Sequence, residues 1–323
     1  MKSGSNLEKV LASGKPAVTA ELGPPMSADG YEIVKKAQLL KGYCDAANIT
    51  DCQTAVVRIS SIAAGAIALQ QGLEPVMQMT CRDRNRIAIQ ADLLGAAALG
   101  LKNCLCLAGD HQKFSAAGKL KGHPGAKNVY DVDTCQLVGI LRKMRDESKQ
   151  EGGDPLEVAP KFFVGASWTP MGDPIDFRPI NLLKKVNAGA DFIQTQGIYD
   201  MSLFRQQMEK IRNMGIHDRT AILAGIIVPK SAMMLKYMDS SVAGVSVPKT
   251  LIDRMNKAKE AAGEDKKKAR EMQEQEGIKI AVELIQQALE TPGVKGVHIQ
   301  AIEWESAIGG IVKAAGLYPR PQI

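Results

Sequence analysis

At 323 residues the chain is long enough for two domains, yet single α/β barrels reach this size by insertion, so one domain spanning 1–323 is the simpler expectation. Its 45% hydrophobic and 24% charged residues exclude a disordered chain, and aromatics at 4% supply too few platforms for a base-stacking nucleic-acid groove. The net charge of +6 comes from 41 basic and 35 acidic residues, with part of the excess at Lys266-Lys267-Lys268; a solvated helix face explains it, and so would attraction of a polyanionic ligand.

The opening MKSGSNLEKVLASGKP has no apolar core of signal-peptide length, and no later stretch offers the ~18 uncharged apolar residues of a membrane span, so a cytoplasmic location is expected. Short apolar runs then alternate with amphipathic stretches. Strands are predicted over Pro16 to Leu22, Asp45 to Thr50, Glu74 to Thr80, Asn103 to Leu107, Phe162 to Ala166, Phe192 to Gln196, Ala221 to Ile227 and Gly296 to Ala301. Between them, apolar spacing near 3.6 predicts helices, among them Tyr31 to Leu40, Arg86 to Gly100, Asp133 to Lys149, Ile180 to Ala188, Met201 to Met214 and Gly277 to Leu289. Parallel neighbours need crossover connections, and eight strand-helix units close naturally into a (β/α)₈ TIM barrel. An open doubly wound sheet would advertise GxGxxG after its first strand; here that strand ends in Glu21-Leu22-Gly23-Pro24-Pro25.

Two stretches depart from the repeat. Asp110 to Asp131, rich in Gly, Lys and His, is a long connection after the fourth strand, where barrel loops usually carry function. Leu251 to Gln275 reads as a charged helical insertion before the last helix, either solvated or a docking arm for another subunit. Six cysteines without CxxC spacing read as reduced thiols, not as a zinc or iron-sulfur site; Cys104 and Cys106, two apart, share one strand face.

Barrel chemistry sits where strands finish. Glu21 closes the apolar strand AVTAEL, a site expected to desolvate its carboxylate and favour the protonated form of a general acid. The second strand ends with Thr50 and Asp51, the third with Gln78 and Thr80 on one face, the fourth with Gly109 and Asp110, and the sixth with Gln194 and Gln196 on one face. Each alone is also a common strand-helix junction residue. Together they offer carboxylates, amides and hydroxyls suited to a flat heterocycle with mixed donors and acceptors.

The series TAELGPP, NITDCQ, QMTCRDRN, LCLAGD, KVNAGADFIQTQ and GVKGVHIQA, in this order, resembles the methylenetetrahydrofolate reductase family across almost the whole chain. The resemblance implies a flavin at the barrel's C-terminal face with folate stacked on its other side. It implies Glu21 as general acid, Asp110 close to flavin and pterin, and Gln196 on the pterin ring. On the flavin side it implies Thr50, Gln78, Gly109, Tyr130, Ala166, Asn181 and Lys185, the lysine suiting a phosphate. Met233 falls at a loop position where an aromatic often stacks on folate. Departures are Ala108 for a common arginine, Gln78 for histidine, Met233 for the aromatic, and Trp304 for an arginine. These leave FMN open beside the FAD of the resemblance, and leave the electron donor open as well. The chain looks closest to relatives from anaerobic one-carbon metabolism, which implies an iron-sulfur partner subunit as possible donor and an oligomer or heteromer.

The implied reaction is reduction of 5,10-methylenetetrahydrofolate to 5-methyltetrahydrofolate, with hydride from reduced flavin N5 after ring opening assisted by Glu21. Two rivals stay open. A Schiff-base lyase or aldolase would use Lys230, just past the seventh strand. A pterin-binding methyl-transfer component would use the same pocket without redox chemistry.

Overall fold

The eight apolar runs pair only with parallel neighbours in the computed structural model, which describes residues 1–113, 115–116, 119–120 and 122–323. The barrel strands are β1 (Ala17–Leu22), β2 (Ala46–Ile49), β3 (Pro75–Thr80), β4 (Asn103–Leu107), β5 (Phe163–Trp168), β6 (Phe192–Gly197), β7 (Ala221–Ile227) and β8 (Val294–Gln300). Hydrogen bonding runs β1-β8-β7-β6-β5-β4-β3-β2 and closes, giving a (β/α)₈ barrel. Closure leaves the barrel itself no edge strand; outside it, Ser115–Ala116 and Lys119–Leu120 pair as a two-stranded antiparallel sheet.

Alternation along each strand separates two cores. Outward residues such as Val164, Ala166 and Trp168 pack under the helices, while inward Ala17, Ala46, Val76, Leu105, Phe163, Phe192 and Leu223 fill the barrel. Gly165 belongs to this filling: a Cβ there would lie 2.2 Å from the Phe192 ring, which instead stacks on Phe163 at 5.1 Å. Below this layer, α1 (Asn6–Ala12), capped by Ser5, inserts Leu7 and Val10. Leu7 and Val10 plug the N-terminal end, and among the described residues the barrel's cavity opens at the C-terminal mouth. Arg320 ties the chain's last residues to the barrel through a buried pair with Asp45 at 2.6 Å, and Asp45 also accepts from Val18 N at 2.7 Å. Removing one partner of such a pair costs about 3–5 kcal/mol.

The helices are α2 (Tyr31–Leu40), α3 (Ser61–Gln70), α4 (Arg86–Ala98), α5 (Thr134–Glu147), α6 (Arg178–Ala188), α7 (Met201–Asn213), α8 (Ala232–Ser241), α9 (Lys249–Glu260), α10 (Lys266–Leu289) and α11 (Ile308–Ala314). The charged stretch is helical as expected, and the structure refines its limits. Its first part is α9 and its second is continuous with the helix predicted from Gly277, giving a 24-residue α10 that α11 follows. Nor is the stretch merely solvated: Met255, Ala269 and Gln273 are buried, Gln273 Nε2 donates to Met255 O at 3.2 Å, and Arg254 bridges Glu276 and Glu283. β5 runs two residues beyond its predicted end, which brings Ser167 to the mouth. All six cysteines are free, and Cys104 and Cys106 are both buried on the outward face of β4. Among the described residues no helix is long and apolar enough to cross a membrane.

Candidate active site

Strand parity builds the site in tiers above the apolar filling. Thr19, Asn48, Gln194 and His298 form a buried polar tier, and one pleat higher Glu21, Thr50, Thr80, Gln196 and Gln300 reach the mouth. Register sets the pairs, with Thr19 beside His298 and Glu21 beside Asn48. Together with Gln78, Ser167 and the β4 turn at Ala108, Gly109 and Asp110, they enclose a cavity of about 460 Å³. That size suits a small organic ligand or a cofactor ring system.

In the polar tier, Asn48 Nδ2 donates to Gln194 Oε1 at 2.6 Å, and Gln194 Nε2 donates to Asn48 Oδ1 and Thr19 Oγ1, both at 3.0 Å. Such pairing offsets the desolvation of buried amides. Glu21 keeps a 23% exposed side chain, its Oε2 lying 3.4 Å from Gln300 Nε2 and 3.9 Å from His298 Nε2. Across the mouth, Asp110 Oδ2 accepts from Thr54 N at 2.8 Å.

The loop that makes this contact holds Cys52, Thr54 and Ala55 at φ of 46°, 57° and 56°. Left-handed backbone at three non-glycine residues needs outside support. Arg82 provides part of it, donating from Nη2 to Cys52 O at 3.2 Å and from Nη1 to Asp110 O at 3.0 Å. Asp83 beside it raises the Arg82 pKa further, so the guanidinium is permanently charged under the rim. Asp51 is not free for a ligand: it accepts from Thr80 N, Thr80 Oγ1 and Arg84 Nη1 at 2.8 to 3.0 Å. Gly109 sits at φ +90°, and a Cβ there would meet Arg82 Cβ at 3.0 Å and Thr80 Cβ at 3.1 Å. Only glycine allows that turn, and it bares the main chain to the cavity.

A family model described as methylenetetrahydrofolate reductase matches residues 6–316. The chain belongs to the methylenetetrahydrofolate reductase family. It is 27% identical over 249 residues to methylenetetrahydrofolate reductase 1 of Schizosaccharomyces pombe, covering 76% of this chain and 36% of that one. To methylenetetrahydrofolate reductase (NADH) 1 of Zea mays it is 24% identical over 336 aligned positions, covering 98% and 51%. The chain therefore spans about a third to a half of the length of these relatives. Among solved structures, a Clostridium thermocellum protein described as binding two copies of 5-methyl-5,6,7,8-tetrahydrofolic acid aligns with a TM-score of 0.60 at 15% identity, covering 97% of this chain and 99% of its own. A long-chain alkane monooxygenase aligns at 0.52 and 12% identity, covering 95% and 93%. At such identities the likeness is one of barrel fold alone.

Of the positions that the methylenetetrahydrofolate reductase resemblance singles out, Glu21, Thr50, Gln78, Gly109, Asp110 and Gln196 line the one cavity. The other five lie outside its lining. Tyr130 is exposed, and its hydroxyl donates to Gly109 O at 3.1 Å, bracing the turn from behind. Ala166 faces the helices. Lys185, on α6 with half-buried Asn181, donates from Nζ to Ser167 O at 2.6 Å; burial pulls its pKa below the usual lysine value. Met233 is 77% exposed near the start of α8. Lys230 also lies outside the lining, donating from Nζ to Ile302 O at 2.5 Å and over the Trp304 ring at 5.8 Å. Sequence reasoning assigned no role to His298, Gln300, Asn48 or Arg82. The signal for the first two was present in the period of two within Val297-His298-Ile299-Gln300.

Proposed function

We propose that this chain binds a flavin and reduces 5,10-methylenetetrahydrofolate to 5-methyltetrahydrofolate at the mouth of its barrel. The observation that carries the proposal is the convergence on one cavity of Glu21, Asp110 and Gln196, from strands and a loop far apart in sequence, in a chain of this family.

The donor set suits a flavin ring, which carries both carbonyl acceptors and an imide donor. Thr50, Gln78 and the bared main chain at Gly109 would hold it, and Gln300 Oε1, buried without a partner at the same mouth, is an acceptor awaiting a ligand N–H. Tyr130, Asn181 and Lys185, near the C-terminal ends of β4 and β5, would follow the cofactor's tail, the lysine exchanging Ser167 O for a phosphate, while Ala166, wholly buried under the helices, does not reach a ligand. We read the cofactor as FAD from the family, with FMN as the alternative because Ala108 replaces a common arginine. When bound in reduced form the flavin supplies hydride from N5.

The protein's own task begins with the substrate, whose methylene carbon bridges two nitrogens and accepts hydride only after one C–N bond opens. Glu21 delivers the proton that lets the nitrogen leave, giving a 5-iminium cation. The carboxylate of Asp110 stabilises that cation across the cavity, and Gln196, with Met233 at the outer edge, positions the pterin and its tail. Fixed by Thr54 N, Asp110 needs little reorganisation as charge develops. An iron-sulfur partner subunit is the electron source this reading favours, in a cytoplasmic heteromer.

The test is an absorbance spectrum of the purified chain, followed by anaerobic mixing of its photoreduced flavin form with methylenetetrahydrofolate. Formation of methyltetrahydrofolate in step with flavin oxidation is expected. A chain that binds folate but takes up no flavin would overturn the proposal in favour of a non-redox methyl-transfer component.

A further inference from the structure

We infer that His298 is a positioning residue for Glu21, presenting an Nε2–H to its carboxyl because a buried polar chain beneath fixes the imidazole tautomer. His298 is 2% exposed and pairs with Thr19 across β1 and β8, with Nδ1 3.0 Å from Thr19 Oγ1 and Nε2 3.9 Å from Glu21 Oε2.

The tautomer follows from counting protons. Asn48 and Gln194 exchange two amide hydrogen bonds, and that exchange turns Gln194 Nε2 toward Thr19 Oγ1 as a donor. Thr19 therefore accepts from below and has one proton to give. Its choices are Val297 O at 3.5 Å or His298 Nδ1 at 3.0 Å. The shorter contact takes it, since hydroxyl hydrogen bonds weaken steeply beyond about 3 Å. Nδ1 is then an acceptor, and the ring proton of the neutral imidazole resides on Nε2, the nitrogen facing Glu21. Were the two amides turned over together, Gln194 Oε1 would face Thr19, take its proton, and leave Nδ1 to carry the imidazole's.

The consequence lies at Glu21. Both contacts to its carboxyl, from His298 and from Gln300 two residues along β8, fall on Oε2. With Gln300 Nε2 donating to Oε2 and His298 Nε2 nearest the same oxygen, Oε1 is the oxygen left to carry the acidic proton. The 3.9 Å gap closes by a small rotation of the carboxyl, as contacts that are long in a free enzyme tighten when substrate binds. This catalytic role rests on the proposed function; the tautomer does not.

The test uses the full chain, cofactor-free, with ¹⁵N-labelled histidine. The four histidines, His111, His123, His217 and His298, give four ring patterns in long-range ¹H–¹⁵N spectra, and His298→Gln identifies one by its loss. The inference predicts Nδ1 in the acceptor range and Nε2 protonated, with Glu21→Gln moving the Nε2 signal and Thr19→Val moving Nδ1. In the flavin-loaded enzyme, His298→Ala is expected to lower kcat for folate reduction by up to about 100-fold, with KM changed little. His298→Gln, whose amide reaches the place of Nε2, should recover most of it. An Nδ1–H tautomer, or a His298 signal indifferent to Glu21→Gln, overturns the inference whatever the turnover. Unchanged turnover in Glu21→Gln with the expected tautomer would instead remove the acid assignment of the proposed function.

Discussion

Replacing Glu21 by Gln removes one transferable proton and little else. The carboxyl's protein contacts, 3.4 Å to Gln300 and 3.9 Å to His298, are long, and its side chain is 23% exposed, so folding draws little on them. A change of this kind stays within about 0.5 kcal/mol, or roughly 1 °C in Tm for a chain of this size. The proposed reaction would depend on that proton far more. General acid catalysis contributes about 10²- to 10⁴-fold, equivalent to about 2.7 to 5.4 kcal/mol of barrier. The assay is anaerobic stopped flow, following flavin absorbance as the prereduced protein meets methylenetetrahydrofolate, with reoxidation by a quinone as the control that needs no acid. The variant should lose two orders of magnitude or more in the first reaction and keep the second. A first reaction within about threefold of the parent would refute the reasoning, because no proton-transfer role is worth so little.

Asp110→Asn keeps the contact to Thr54 N through its amide oxygen but removes the charge facing the cation, so the folate reaction should slow while flavin reduction is largely preserved; the reverse pattern would assign Asp110 to the wrong half of the cycle. Gly109→Ala forces a Cβ into the left-handed region 3.0 Å from Arg82 Cβ, and should cost at least about 1 kcal/mol in urea unfolding and weaken flavin binding in a fluorescence titration; stability equal to the parent would show that the turn relaxes freely. A thiol reagent under native conditions should titrate quickly at most the half-buried Cys52 and Cys135, and fast reaction of four or more thiols would contradict the buried placement of the rest. Burial pushes the Cys44 thiol up to about 12 from an ordinary 9.0, so the folded state keeps a proton that the unfolded chain loses. That stability is intact below pH 9 and declines between pH 9 and 12 by about 1.4 kcal/mol per pH unit. Lys185, lowered by burial, acts in the opposite sense, so the readout is the difference between parent and Cys44→Ala, whose alkaline limb should be flatter.

The period of two made much of the site legible. It places Glu21, Thr50, Gln78 and Gln196 on inward faces without any knowledge of neighbouring strands, and the glycine before Asp110 marks the turn. What it left out depends on pairings that no local pattern contains. His298 owes its place to its register with Thr19 and to Glu21 one pleat above, across a strand pair closed by residues almost 280 positions apart. Arg82 lies in a polar run, and only the folded turn puts its guanidinium under Asp110 and Cys52. Ala166 and Lys185 were named from resemblance; parity with Val164 and Trp168 turns Ala166 toward the helices, and the Lys185 contact to Ser167 requires α6 to dock on β5. The 24-residue α10 was hidden because its buried stripe, Ala269, Gln273, Gly277, Ile280 and Leu284, begins in small and polar residues that read as a solvated face.

The claim on which everything else depends is that one cavity brings flavin and folate together for hydride transfer, and it is tested most directly by a single turnover with deuterium. With flavin reduced by a deuteride donor in deuterated buffer, without air, and mixed with methylenetetrahydrofolate, the methyl group of the product should carry one deuterium per flavin oxidised. Methyltetrahydrofolate without the label, or flavin oxidation without methyltetrahydrofolate, would contradict the account.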